Sequence, residues 1–289
     1  MTIKSGFVNI NKPTGMTSTE VVNKVKKILK IKKVGHLGTL DPAASGVLPI
    51  AFGKATKFFE YFLNKDKCYK AIAEFGVLTD TLDSFGNITE NQNVSITEND
   101  INAVLKAFRG KILQTPPKFS AIKIDGKRAY ELARDGQDIE IKPREIEIYD
   151  IKLEKELAKN RFLFSVHCSA GTYIRTLFND IAQKLGTVAT TTAIIRTKSG
   201  PFSIEDSLTI DEFDANLQVL SIDSALCGLK KIEIDDEITY KRLLNGVKID
   251  KKALNFDVSG QFFVTHNGNL VGLYHIEQNL MVCDVFLCE

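Results

Sequence analysis

The sequence predicts an α+β fold: a mixed, largely antiparallel sheet with helices packed on it, plus a small β-rich C-terminal domain. Capped amphipathic segments of helical period alternate with segments of period two, without the regular βαβ rhythm of a doubly wound sheet. Beyond residue 230 the character changes, and 261–289 is almost free of charge and rich in alternating Phe, Val and Leu. A length of 289 residues suits a large domain, drawn at 1–229, and a small one at 230–289.

The elements read in order. Thr17-x-x-Glu20 is a capping box opening a helix whose apolar face is Val21, Val22, Val25, Ile28 and Leu29, ending before Gly35. Alternation predicts strands over 69–77 and 161–168, and a long charged ribbon over 139–153. Thr97-x-x-Asp100 caps a second helix with Ile101, Val104, Leu105 and Phe108 as its stripe and Gly110 past its end. A third helix is expected over 172–185, with Ile174, Leu177, Phe178, Ile181 and Leu185 inward and Gly186 as terminator. A fourth is expected near 234–245. His266-Asn267-Gly268-Asn269 between two alternating runs is a hairpin signal.

Apolar residues at 44% and charged residues at 26% exclude collagen, coiled coil and wholesale disorder. No apolar run is long enough to span a membrane, and the first residues lack the apolar stretch of a secretory signal, so a cytoplasmic location is expected. The five cysteines are odd in number and never spaced C-x-x-C, which suggests reduced thiols and no structural zinc. Cys283, Cys288, His266 and His275 could be drawn as a metal cluster, but alternate positions of a C-terminal hairpin explain them better.

The net charge of +2 conceals an uneven distribution. Residues 1–70 hold 13 lysines against 4 carboxylates, while 71–100 hold 6 carboxylates and no base. Lys24, Lys26, Lys27, Lys30, Lys32 and Lys33 lie on the first helix and the turn after it. Such a surface attracts polyphosphate by counterion release, although a solvated helix face reads the same way.

Cofactor motifs are missing: G-x-G-x-x-G, the P-loop, H-E-x-x-H and G-x-S-x-G do not occur. His167-Cys168 are adjacent on a strand and point to opposite faces, so they cannot pair with each other. The stretch from Gly35 to Gly46 holds three glycines and one proline, and its only carboxylate is Asp41. Pro42 restricts that aspartate to extended geometry. Asp41 is therefore a candidate nucleophile or general base, although pattern alone favours a cap for the following turn.

That loop, Gly35-His36-Leu37-Gly38-Thr39-Leu40-Asp41-Pro42-Ala43-Ala44-Ser45-Gly46, resembles the catalytic loop of pseudouridine synthases, and its wording that of the bacterial tRNA pseudouridine-55 synthase family, the TruB type. Other stretches resemble the same family in the same order. They are Asn11 to Ser18 (a K-P-x-G-x-T-S element), Lys67 to Ala71, Gly76 to Gly86 (G-x-x-T-D-T-x-D-x-x-G), Gln114 to Lys123 with Gly126 to Tyr130, and Gly171 to Leu177. The chain departs from the pattern at Leu37, at Leu82 and at Ile194-Ile195-Arg196-Thr197.

The resemblance implies a pseudouridine synthase-like catalytic domain and a PUA-like RNA-binding tail. It also implies an RNA-gripping insertion at about 111–145, where six lysines or arginines lie between Lys118 and Lys142 among prolines and glycines suited to a mobile clamp. The implied reaction is isomerisation of uridine 55 in the tRNA T loop after base flipping, by a monomer that uses no cofactor and no metal.

Carried over residue by residue, Asp41 acts at the sugar, by attack at C1′ or removal of the 2′ proton. Arg175 pairs with it, the alternative being an ordinary surface ion pair. Tyr69 stacks on the uracil near C5, or is a plain core tyrosine. His36 helps flip the base, Lys12 supports the pocket or a phosphate, and Ile194 is the floor under the base or simple core. Lys118, Lys127 and Arg128 bind RNA from the insertion. A different synthase subfamily should lack the insertion, a non-catalytic tRNA-binding module would not need Asp41, Tyr69 and Arg175 together, and a metal-dependent nuclease would need clustered carboxylates.

Overall fold

The computed structural model describes residues 4–124, 126–137, 139–251 and 260–288. The chain forms two compact units, one of Val8–Ile50 with Glu60–Gln218 and one of Met1–Phe7, Ala51–Phe59 and Val219–Glu289.

Strand β1 (Gly6–Lys12), in the larger unit from Val8 on, leads to helix α1 (Ser18–Leu29). The Thr17 hydroxyl accepts the Glu20 N–H and the Glu20 carboxylate accepts the Thr17 N–H, a complete capping box. Such a cap stabilises a helix by about 1 kcal/mol. Strands β2 (Val34–His36) and β3 (Ala44–Phe52) follow, then α2 (Phe59–Leu63) and β4 (Lys67–Phe75).

β4 stops one residue short of Gly76, whose φ of +90° and close approach to the Gln92 carbonyl leave no room for a side chain. The expected strand over 69–77 is therefore divided, and Val77 opens β5 (Val77–Thr79), which pairs with β6 (Ile88–Asn91). α3 (Glu98–Leu105) carries the expected Thr97–Asp100 box.

Next come β7 (Gly110–Gln114), the short hairpin β8 (Lys123–Ile124) with β9 (Lys127–Arg128), and α4 (Ala129–Arg134). β10 (Arg144–Ala158) and β11 (Arg161–Cys168) form a long antiparallel ribbon. β10 begins after Pro143, which has no N–H for the ladder, and runs to a turn at Asn160 with φ +59°, so it lies further along than the 139–153 expected. α5 (Ile174–Lys184), β12 (Ala189–Ser199), β13 (Phe202–Ser203) and α6 (Ile210–Asn216) complete the unit.

The sheet order is β1-β3-β12-β4-β11-β10-β7, with β2 on β3 and β13 on β12. The β12–β3 pairing is parallel, whereas β12–β4, β4–β11, β11–β10 and β10–β7 are antiparallel. This is the mixed, largely antiparallel sheet predicted. α5 packs its stripe of Ile174, Leu177, Phe178 and Ile181 onto it, with Phe178 against Phe164 at 4.7 Å. The central strands β12 and β4 place Arg196 opposite Tyr69 and Ile194 opposite Ala71.

In the smaller unit, α7 (Ile222–Ala225) and α8 (Glu237–Leu244) accompany a five-stranded sheet ordered β14-β16-β17-β18-β15. Its strands are β14 (Lys230–Glu233), β15 (Ile249–Asp250), β16 (Gln261–His266), β17 (Asn269–Glu277) and β18 (Leu280–Phe286). The β16–β17 turn is Asn267-Gly268, both at positive φ, as the hairpin signal required. Phe58 lies edge-on between Phe7 and Phe263, so the stretches around Phe7 and Phe58 belong to this core.

His266 stacks on Tyr240 and bonds the Ile234 carbonyl, and His275 bonds Asp284. Among the described residues no group of three or more His, Cys, Asp or Glu could hold a metal ion, and no helix is long and apolar enough to cross a membrane.

Candidate active site

The loop from Leu37 to Ala43 is braced from several sides. The Ser18 hydroxyl, at the start of α1, donates to the Leu40 carbonyl and accepts the Leu40 N–H, each at 2.9 Å. Gly15 N–H donates to the Pro42 carbonyl, and Ala44 N–H to that of Asp41. Beneath the loop, the buried Arg196 guanidinium donates to the carbonyls of Val47, Thr39 and Gly38. Gly46 is required where β3 meets β12, because any Cβ there would strike the Arg196 backbone. Backbone and side-chain bonds thus fix the position of Asp41.

Arg175 Nη2 approaches Asp41 Oδ2 at 2.7 Å; the arginine is 3% exposed and the aspartate 36%. Nη2 also donates to the Phe119 carbonyl at 2.9 Å, and Nη1 to the Thr81 carbonyl at 2.7 Å. Asp83, buried, stands 3.7 Å from Nη1 and is itself held by the Thr81 hydroxyl and the Phe85 N–H. A surface ion pair is excluded, since the arginine is buried among oxygen partners.

An open cavity of about 550 Å³ is lined by Asp41, Tyr69, Tyr173, Arg175, Ile194 and Arg196, among others. Four of the predicted site residues, Asp41, Tyr69, Arg175 and Ile194, therefore meet in one place. Burial pushes the Tyr69 phenol up to about 12 despite the neighbouring Arg196 charge, so the hydroxyl is neutral at ordinary pH.

The other five lie outside the lining. Lys12 is buried and donates to the Pro13 and Met16 carbonyls, fixing the turn whose Gly15 holds Pro42. Burial lowers its ammonium to about 8, against the pull of Asp41. His36 ends β2 with its Nδ1 buried and unbonded, and burial, assisted by the charges of Arg196 and Arg128, lowers its pKa. Lys118, Lys127 and Arg128 are exposed.

A profile of the TruB family pseudouridylate synthase N-terminal domain matches residues 26–174. The chain belongs to the TruB family. It is 44% identical over 255 residues to the tRNA pseudouridine synthase B of Clostridium tetani, covering 86% of this chain and 87% of that one. With the Bacillus pumilus protein of the same name it is 46% identical over 250 residues, covering 82% and 81%.

A solved H/ACA RNP bound to a substrate RNA containing 2′-deoxyuridine superposes at TM-score 0.72 and 26% identity, over 99% of this chain and 85% of that one. A Cbf5-Nop10-Gar1 complex superposes at 0.70 and 28%, over 97% and 83%. The protein is thus an enzyme of the pseudouridylate synthase class.

In and around this site, Arg196, Asp83, Tyr173 and Gln114 lie in stretches quoted from the sequence above, where they were given no role of their own. Arg196 sat in plain view two residues beyond Ile194, and a basic residue directly after two isoleucines in a strand was its signal. Asp83 lay within the recognised segment from Gly76 to Gly86, but nothing local marks it as facing Arg175.

Proposed function

We propose that the protein isomerises uridine 55 in the T loop of tRNA to pseudouridine, with Asp41 acting at the ribose after the base is flipped into the cavity. The observation that carries this reading is the Asp41–Arg175 pair, set in a cavity that also presents Tyr69 and Ile194. The name of the curated relatives, tRNA pseudouridine synthase B, supports tRNA as the substrate.

The reaction conserves atoms. The C1′–N1 bond breaks, the uracil turns, a C5–C1′ bond forms, the C5 proton leaves and N1 gains one. Asp41 either attacks C1′ or removes the 2′ proton. Arg175 holds that carboxylate in place, as a buried guanidinium with fixed partners does well. Tyr69 stacks on the uracil, and its neutral phenol stands where the C5 proton leaves. Ile194 supplies the floor, His36 assists flipping, and Lys12 holds the loop from behind.

Flipping a stacked nucleotide costs a few kcal/mol, offset by phosphate and stacking contacts. The exposed lysines 24, 27, 30, 32 and 33 lie on the helix whose Ser18 braces the catalytic loop and on the turn after it, and they suit the phosphates of the adjoining stem. Lys118, Lys127 and Arg128 grip the loop from the insertion, and the PUA-like part, residues 230–289, binds RNA further along. The enzyme works in the cytoplasm as a monomer and uses neither cofactor nor metal.

The test is incubation with a T stem-loop RNA in buffer without added metal or nucleotide, followed by chemical mapping of pseudouridine. Product at position 55 alone supports the reading. Binding without product would favour a tRNA-binding module.

A further inference from the structure

The base of the insertion is tied to the start of the helix that carries Arg175. Gln114, the last residue of β7, is 2% exposed. Its Oε1 accepts the Tyr173 N–H at 2.8 Å and its Nε2 donates to the Tyr173 carbonyl at 3.1 Å. Tyr173 is the N-cap residue of α5, and its own side chain makes no capping bond. The same Tyr173 carbonyl accepts the Leu177 N–H, so the Gln114 carboxamide grips the first turn of the helix from outside.

Five residues on, the Phe119 carbonyl accepts from Arg175 Nη2, the nitrogen that also meets Asp41. Between them Pro116 and Pro117 are buried, and their fixed φ makes 114–119 a strap of nearly constant length. The insertion is fastened to the far end of this strap, through Tyr130 N–H to the Ser120 carbonyl and Ala129 N–H to that of Ile122.

We infer that Gln114 is a positioning residue for the isomerisation: through Tyr173 it sets the first turn of α5, and with the strap it aims the Arg175 guanidinium at Asp41. A grip of the insertion on RNA is then felt at the ion pair. The inference rests on the reading of this cavity as the isomerase site.

Glutamate is close in shape to glutamine but differs in what it can donate. In Gln114→Glu the ionised carboxylate accepts the Tyr173 N–H yet turns its second oxygen on the Tyr173 carbonyl, where the carboxamide of Gln114 donates. Once protonated, the carboxyl donates again.

The experiment uses the full chain with a T stem-loop RNA, comparing wild type, Gln114→Ala and Gln114→Glu in steady state and single turnover. A small misplacement of a catalytic group costs up to about 100-fold, so kcat should fall about 10- to 100-fold in both variants at pH 8, with KM unchanged. The Gln114→Glu rate, divided by that of wild type at each pH, should recover as the pH is lowered, whereas the Gln114→Ala ratio stays flat.

Wild-type kcat in both variants, a loss confined to KM, or a Gln114→Glu ratio that does not change with pH would overturn the inference. So would a loss that merely follows the folded fraction measured by thermal melting. If Gln114→Ala fails to fold, the pH response of folded Gln114→Glu decides alone. Failure of the wild type to make pseudouridine would instead overturn the functional reading beneath it.

Discussion

Arg175 Nη2 and Asp41 Oδ2 stand 2.7 Å apart, the guanidinium buried and the carboxylate open to the cavity. That asymmetry divides their work. The arginine is satisfied from behind by the carbonyls of Thr81 and Phe119 and by the nearby Asp83, so its position is set before any substrate arrives. The aspartate keeps a face open to the cavity, where the proposed reaction puts the ribose.

Replacing the arginine should therefore damage both stability and turnover. Arg175→Met leaves Asp83 buried without its cationic neighbour and two carbonyls without donors. Breaking a buried pair from one side costs about 3–5 kcal/mol, read from urea or thermal unfolding. Arg175→Lys restores a charge but has no planar fork to reach Asp41, Phe119 and Thr81 together, so its turnover should stay well below wild type even where its melting temperature recovers. Wild-type turnover in folded Arg175→Lys would show that the fork is dispensable.

A second prediction concerns pH and stability. Burial raises the Asp180 carboxyl from the ordinary 3.8 to about 6. Between those values the native state holds a proton that the unfolded chain has released, so this group makes stability fall as pH rises through the interval. Asp180→Asn, neutral at every pH, should melt higher than wild type above pH 6 and alike below about pH 4. Equal melting temperatures at pH 7.5 would contradict the assignment.

A third separates binding from chemistry. Changing Lys24, Lys27, Lys30, Lys32 and Lys33 to glutamine should weaken binding of a stem-loop with a full T stem and flatten its salt dependence. The slope of log K against log salt should fall by up to about 0.9 for each duplex phosphate no longer neutralised. Single-turnover rates at saturating enzyme should not change. A slope equal to that of wild type would return these lysines to the role of a solvated helix face.

Much of the fold was legible because local chemistry specifies it. The Thr17–Glu20 and Thr97–Asp100 boxes, the stripe of α5 ended by Gly186, and the Asn267-Gly268 turn are each decided within a few residues. Where the reading slipped, the deciding partner was distant. β4 ends where Gly76 meets Gln92, and β10 takes its register from β7 and β11. The site divides in the same way. Asp41, Tyr69, Arg175 and Ile194 were picked out through motifs and meet at one cavity, whereas Asp83 and Gln114 contact distant partners that no local pattern announces. Arg196 is the exception, since a charge in the middle of a buried strand demands oxygen partners, and three backbone carbonyls supply them.

The most direct test of the central claim is the rate of pseudouridine formation by Asp41→Asn on a T stem-loop, alongside its affinity for the same RNA. Asparagine keeps the size of the side chain and removes the charge, the nucleophilicity and the basicity. RNA affinity comes from many phosphate and stacking contacts, to which one carboxylate adds little. The account predicts a folded variant that binds the stem-loop as wild type does and forms no pseudouridine. Product at the wild-type rate from folded Asp41→Asn would contradict it, as would a loss of activity matched by an equal loss of binding.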